Sequence, residues 1–178
     1  MKTMWKVTGK ILAALSLTVM MSVSTQAADT TYVNIAAFHK VSAGYEFEPA
    51  VFGKFSEFIA EMEKGSEIMF LNHTSGVKDG DVITFNASVL RDDVGADFDD
   101  NGVNCSFNYK VEGEGDQAAY SIGGLCHLLV NMGGKQEKVK VLIPSADLPD
   151  TSEGVDVWAM IYEDKETGAA FYANVSGK

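Results

Sequence analysis

The chain has 178 residues, of which 14 are Lys or Arg and 25 are Asp or Glu, giving a net charge of −11 with 46% hydrophobic residues. Such acidity excludes nucleic acid and anionic membrane surfaces as natural partners, because no basic patch is left to neutralise phosphates. The length suits one domain with a workable core.

Met1 to Ala27 reads as an export signal. Lys2, Lys6 and Lys10 make a basic start, ILAALSLTVMMSV an apolar core, and Thr25-Gln26-Ala27 a small-residue cleavage site. The apolar run is short for a membrane span and no later stretch approaches it, so a mature protein of residues 28–178 is expected to be a single periplasmic or secreted domain without a span. Loss of the signal leaves 11 basic against 25 acidic residues, a charge of −14. In a eukaryotic secretory route, Asn72, Asn86, Asn104 and Asn174 would be glycosylation sequons.

Thr31 to Phe38 is a candidate first strand. Pro49 to Lys64 is the predicted helix: Val51, Phe52, Phe55, Phe58, Ile59 and Met62 make one apolar stripe, Pro49 suits a first helical position and Gly65 a stop. The period then becomes two. Glu67 to Leu71 and Val82 to Leu90 read as strands, Lys138 to Ile143 as another, and Val155 to Tyr162 with Ala169 to Val175 as a closing pair. NMGGK at Asn131 to Lys135 is a turn and Pro144 to Gly154 a long loop. Val157 to Tyr162 is apolar on both faces, which predicts a strand inside its sheet with the chain end beside it. The fold class is therefore mainly β (α+β): an antiparallel β-sandwich or curled sheet of about seven strands, with one amphipathic helix packed on it.

Between Val103 and Val130 the chemistry of the turn decides the pairing. A two-residue turn at Gly115-Asp116, where glycine supplies the positive φ, makes opposed residue numbers sum to 231 and sets Cys105 against Cys126. Alternation makes that pair non-hydrogen-bonded, the closer kind, which a disulfide fits. The same register puts Phe107, Tyr109 and Val111 on one face with Gly124, Ile122 and Tyr120, and leaves Ser106, Asn108 and Lys110 on a polar face. A bridge of this span stabilises by about 3 kcal/mol in the chain-entropy model.

The acidic loop RDDVGADFDDNG contains Asp97-Phe98-Asp99-Asp100-Asn101-Gly102, matching the D-x-D-x-N-G opening of an EF-hand calcium loop. Asp97, Asp99 and Asn101, with Asp92 or Asp93 added, are the candidate calcium ligands. Asn108 stands where the closing bidentate glutamate belongs, and a strand follows in place of a helix. Nucleophilic catalysis lacks its groups: His39, His73 and His127 are scattered, and Cys126 and His127 point to opposite faces of one strand. Trp158, Tyr162 and Tyr172 are a candidate aromatic partner surface, weighed against burial in the core. The expected function is a non-enzymatic exported binding or assembly module contacting a protein or envelope partner through sheet edges or the Trp158 face. A calcium or small-ligand binder using the acidic loop is the second expectation, and a hydrolase the third.

Overall fold

In the computed structural model, which describes residues 30–87, 103–132, 134–149 and 156–177, nine strands form two antiparallel sheets. β1 (Tyr32–Lys40), β2 (Ala50–Gly53), β3 (Ser66–Ser75), β8 (Asp156–Asp164) and β9 (Ala169–Ser176) make a five-stranded sheet in the order β2-β8-β9-β1-β3. β4 (Val82–Ala87), β5 (Val103–Glu112), β6 (Ala119–Met132) and β7 (Lys135–Leu148) make a four-stranded meander. The sandwich-like, mainly β architecture with one helix is the class that the sequence predicts. Residues 1–27, read as the export signal, lie outside the described residues. Among the described residues no helix is long and apolar enough to cross a membrane.

Strand alternation produces three layers. Val33, Ile35, Ala37, Phe70, Phe171 and Val175 of the larger sheet face Ile83, Cys105, Phe107, Ile122, Leu128 and Val141 of the smaller one across the main core. The opposite face of the larger sheet carries Ala36, Phe38, Trp158, Ala170 and Tyr172, over which α1 (Phe55–Met62) lays Phe58 and Met62. β9 is buried along nearly its whole length because it has strands on both sides and apolar layers above and below. β8 lies inside its sheet with β9, the last strand, beside it, as its two-sided apolar pattern predicts.

The helix is shorter than the expected span of 49–64. Ala50–Gly53 instead pairs with β8, Val51 opposite Trp158, and Met160 N–H donates to the Pro49 carbonyl at 2.8 Å. Gly53 explains the break, since its φ of 143° is incompatible with a helix running through it. Glu57 then closes the new helix start by accepting from Lys54 N–H at 3.2 Å. Val51 fits the apolar stripe only by coincidence of spacing.

The cysteine hairpin has the predicted register, from Asn104↔His127 through Cys105↔Cys126 to Glu112↔Ala119. The turn itself differs: pairing stops at Glu112↔Ala119 and a single 3₁₀ turn at Gly115–Gln117 completes the connection. The extra residues fall equally on both sides of the same centre, so the sum of 231 survives the longer loop. Pro144–Leu148, expected as part of a loop, extends β7, pairing Ala146 with Ile122 and Leu148 with Tyr120. The ladder shifts between Ile122 and Gly124, opposite Pro144, which is how a residue without an N–H is carried within a sheet. Gly123 and Gly124 are required here: a Cβ on Gly124 would lie 2.2 Å from Ser106 O, and one on Gly123 would lie 2.7 Å from Ser145 N.

Candidate functional site

Cys105 and Cys126 lie in the main core, their Cα atoms 4.1 Å apart and their sulfurs 1.98 Å apart. The short Cα separation is that of a non-hydrogen-bonded pair, as the register requires. The disulfide is a structural staple, and among the described residues there is no free cysteine.

Asp92, Asp93, Asp97, Asp99 and Asn101 lie outside the described residues. What is described is the anchorage of their loop: Ala87, the last residue of β4, pairs with Val103, the first of β5. Among the described residues no three His, Cys, Asp or Glu side chains are grouped to hold a metal ion.

The three aromatic candidates do not share a surface. Trp158 is 4% exposed and Tyr172 fully buried, both under the helix, with Phe58 stacked on Trp158 at 4.6 Å between ring centroids. Tyr162 packs on the main core on the other side of the sheet. A bulge between Met160 and Tyr162 inserts Ile161 and reverses the alternation, so Tyr162 leaves the face of Trp158 and Met160. The idea of one aromatic partner surface is thereby corrected.

Tyr172 donates its hydroxyl to the Glu48 carbonyl at 2.5 Å. Burial pushes its phenol well above the usual tyrosine range, with Tyr45, Glu163 and Glu48 adding to the effect. The neutral form is thus favoured by folding. The Tyr172 contribution to stability is constant below the ordinary tyrosine value of about 10, where both states are protonated, and falls above it as the unfolded state ionises first. In an alkaline titration followed by tyrosinate absorbance, at least one of the six tyrosines should stay silent until the protein unfolds, and Tyr172→Phe should remove that cooperative step.

Two surfaces among the described residues are candidates for recognition. One is the outer face of the four-stranded sheet, over which no other element lies among the described residues. Thr84, Ser106, Leu125 and Leu142 form a row across its four strands. Leu142 is 70% and Val82 56% exposed, and small side chains at Ser106, Gly123 and Ser145 leave a shallow cleft of about 670 Å³ between them. The face carries Lys110, Lys138 and Lys140 against Glu112 and Asp147, so it escapes the acidity of the chain as a whole.

The other is the part of the larger sheet's outer face at the start of α1, bounded by Phe55 and left open beyond it. Residue pairing there runs from Asn174 to Asn34 to His73, and one step past Ala159↔Ala173 the same register brings Trp158 beside Asn174. Asn34 Nδ2 donates to Asn174 Oδ1 at 2.7 Å, while Asn34 Oδ1 accepts from His73 Nδ1. Tyr32 stacks on His73 with ring centroids 4.9 Å apart. Sequence reading singled out Asn174 only as a sequon, and its burial to 1% exposure closes it to glycosylation in the folded protein. The missed signal is an amide within the apolar run of Ala169–Ser176, where an unpaired polar group is costly and needs a reason.

Comparison of the chain with protein-family models, with curated proteins and with solved structures gave no match. The class that the chain defines is therefore structural: an acidic, disulfide-stapled, sandwich-like fold with one helix.

Proposed function

We propose that the protein is an exported, non-enzymatic binding or assembly module that contacts a protein or envelope partner through the outer face of its four-stranded sheet. The observation that carries this reading is the uncovered row of Ser106, Leu125 and Leu142, next to exposed Val82, on a sheet whose other face is core. Three of the other routes are weaker. The Trp158 face is occupied by α1, β2 offers an edge of four residues, and β7 carries Lys138, Lys140 and a bulge opposite Pro144, devices that discourage edge-to-edge pairing. Export is supported by the basic start and apolar core of the first 27 residues and by the cysteine pair, which persists in oxidising compartments.

The non-enzymatic reading is supported by the separation of the histidines. His39 is held by Thr167 O at 3.1 Å, His73 by Asn34, and His127 lies on the outer face of the other sheet. In capture from an envelope extract, the exported chain should recover a partner in stoichiometric amount. Leu142→Asp should lose it while keeping the parent's melting temperature. Recovery of no stoichiometric partner, or equal recovery by Leu142→Asp, overturns the proposal.

A further inference from the structure

We infer that the open end of the larger sheet's outer face is a binding site for a small uncharged molecule with an apolar body and a carbonyl-type acceptor oxygen. The site is a cleft of about 390 Å³ whose walls include Phe55, Leu71 and Trp158 and whose polar end holds Asn34, His73 and Ser176. That volume falls in the range of small-molecule pockets. It is separate from the sheet face assigned to the macromolecular partner, since it lies on the other sheet.

Two buried donors decide the ligand chemistry. Asn174 Nδ2 and Trp158 Nε1 are shielded from solvent and have no hydrogen-bond partner. The direction of the amide chain accounts for the first. His73 Nδ1 donates to Asn34 Oδ1, and Asn34 Nδ2 donates to Asn174 Oδ1, which fixes the direction of the Asn174 amide and leaves its N–H₂ unpaired beside Asn34, a lining residue of the cleft. Trp158, its neighbour in the row, is stacked on Phe58 at 4.6 Å and tilted against Phe55 at 5.9 Å, so its N–H cannot turn elsewhere without breaking the Phe58 stack. A buried donor without a partner carries the penalty of its lost hydration. An acceptor oxygen that reaches Trp158 Nε1 in the cleft wall, or Asn174 Nδ2 behind Asn34, recovers that cost on binding.

The remaining properties of the cleft restrict the class further. No lining residue carries a fixed charge, so an ionic ligand would shed its hydration with nothing to replace it. Phe55 and Leu71, 42% and 47% exposed, supply an apolar rim that gains from contact with a hydrocarbon or aromatic body. Phe55 stands at the first position of an eight-residue helix, and its half-exposed ring forms the wall of the cleft beside Trp158.

The test uses the full chain with Trp5→Phe, which leaves Trp158 as the sole tryptophan. The probes are 2-acetylnaphthalene and 2-ethylnaphthalene, which have similar shapes and differ in the carbonyl oxygen. Binding is followed by calorimetry and by the indole N–H and asparagine side-chain resonances in nitrogen-15 spectra. The ketone is expected to bind at one site per chain, to shift the Trp158 indole resonance, and to bind about tenfold more tightly than the hydrocarbon. His73→Ala, at an exposed position that leaves the core intact, should reduce that preference by loosening the Asn34–Asn174 chain. Equal affinity for the two probes overturns the assignment of the donors. Binding of neither, or binding that leaves the Trp158 resonance unmoved, overturns the site.

Discussion

Phe58→Ala should lower the free energy of unfolding by about 4 kcal/mol, in the middle of the range for a buried aromatic residue. Phe58 is 1% exposed and contacts four other rings: Trp158 face to face at 4.6 Å, Phe38 and Tyr172 edge-on at 5.5 Å each, and Phe55 at 6.5 Å. An eight-residue helix has no independent stability in water, so α1 exists because Phe58 and Met62 dock it on the sheet. Truncation leaves a cavity and also weakens the helix that, with Phe47, covers Trp158 and Tyr172 on that side. Denaturant unfolding should show a lower midpoint with little change in slope, together with a red shift of Trp158 emission. Phe55→Ala, at a half-exposed position, is the control and should cost less than about 1 kcal/mol. A loss below that value for Phe58→Ala would show that the helix is not held by this contact.

Replacing both cysteines by alanine should destabilise the protein by about 3 kcal/mol, as expected for a crosslink spanning 21 residues. In the chain-entropy model most of this effect lies in the unfolded state, which the crosslink no longer restricts; incomplete filling by alanine of the space left by wholly buried Cys105 and Cys126 adds a folded-state cost. The native register should persist, since Asn104↔His127 through Glu112↔Ala119 also rests on the apolar face shared by Phe107, Tyr109 and Ile122. Equilibrium unfolding of the oxidised protein and the double variant measures the difference. Two freely alkylated thiols in properly exported material would refute the bridge.

The hairpin was legible because a single turn sets a register and strand alternation carries it along the whole ladder. Even an error about the turn, two residues against a longer 3₁₀ connection, left every pair in place because the added residues are symmetric about Gly115-Asp116. The helix was legible through Phe55, Phe58 and Met62 but its start was not. Val51 satisfies a helical stripe and a strand equally well, and Gly53 decides between them by adopting a backbone conformation closed to helices. Bulges were the least legible features. Those after Ala37 and Met160 depend on how neighbouring strands pair, which no local period reports, and the second alone separates Tyr162 from Trp158. The cleft at Asn34 was missed for a related reason. Its row draws one residue from each of four strands spread between positions 34 and 174, and only the ladder brings Trp158, Asn174, Asn34 and His73 side by side.

The two faces of the molecule make opposite claims about binding, and photocrosslinking separates them. A photoreactive residue placed at Leu142, on the uncovered sheet face, and another at Glu63, exposed just beyond α1, would be irradiated in the envelope fraction. A discrete adduct from position 142 and none from position 63 is the predicted result. An adduct from position 63 with none from position 142 would contradict the assignment of the four-stranded sheet as the partner face.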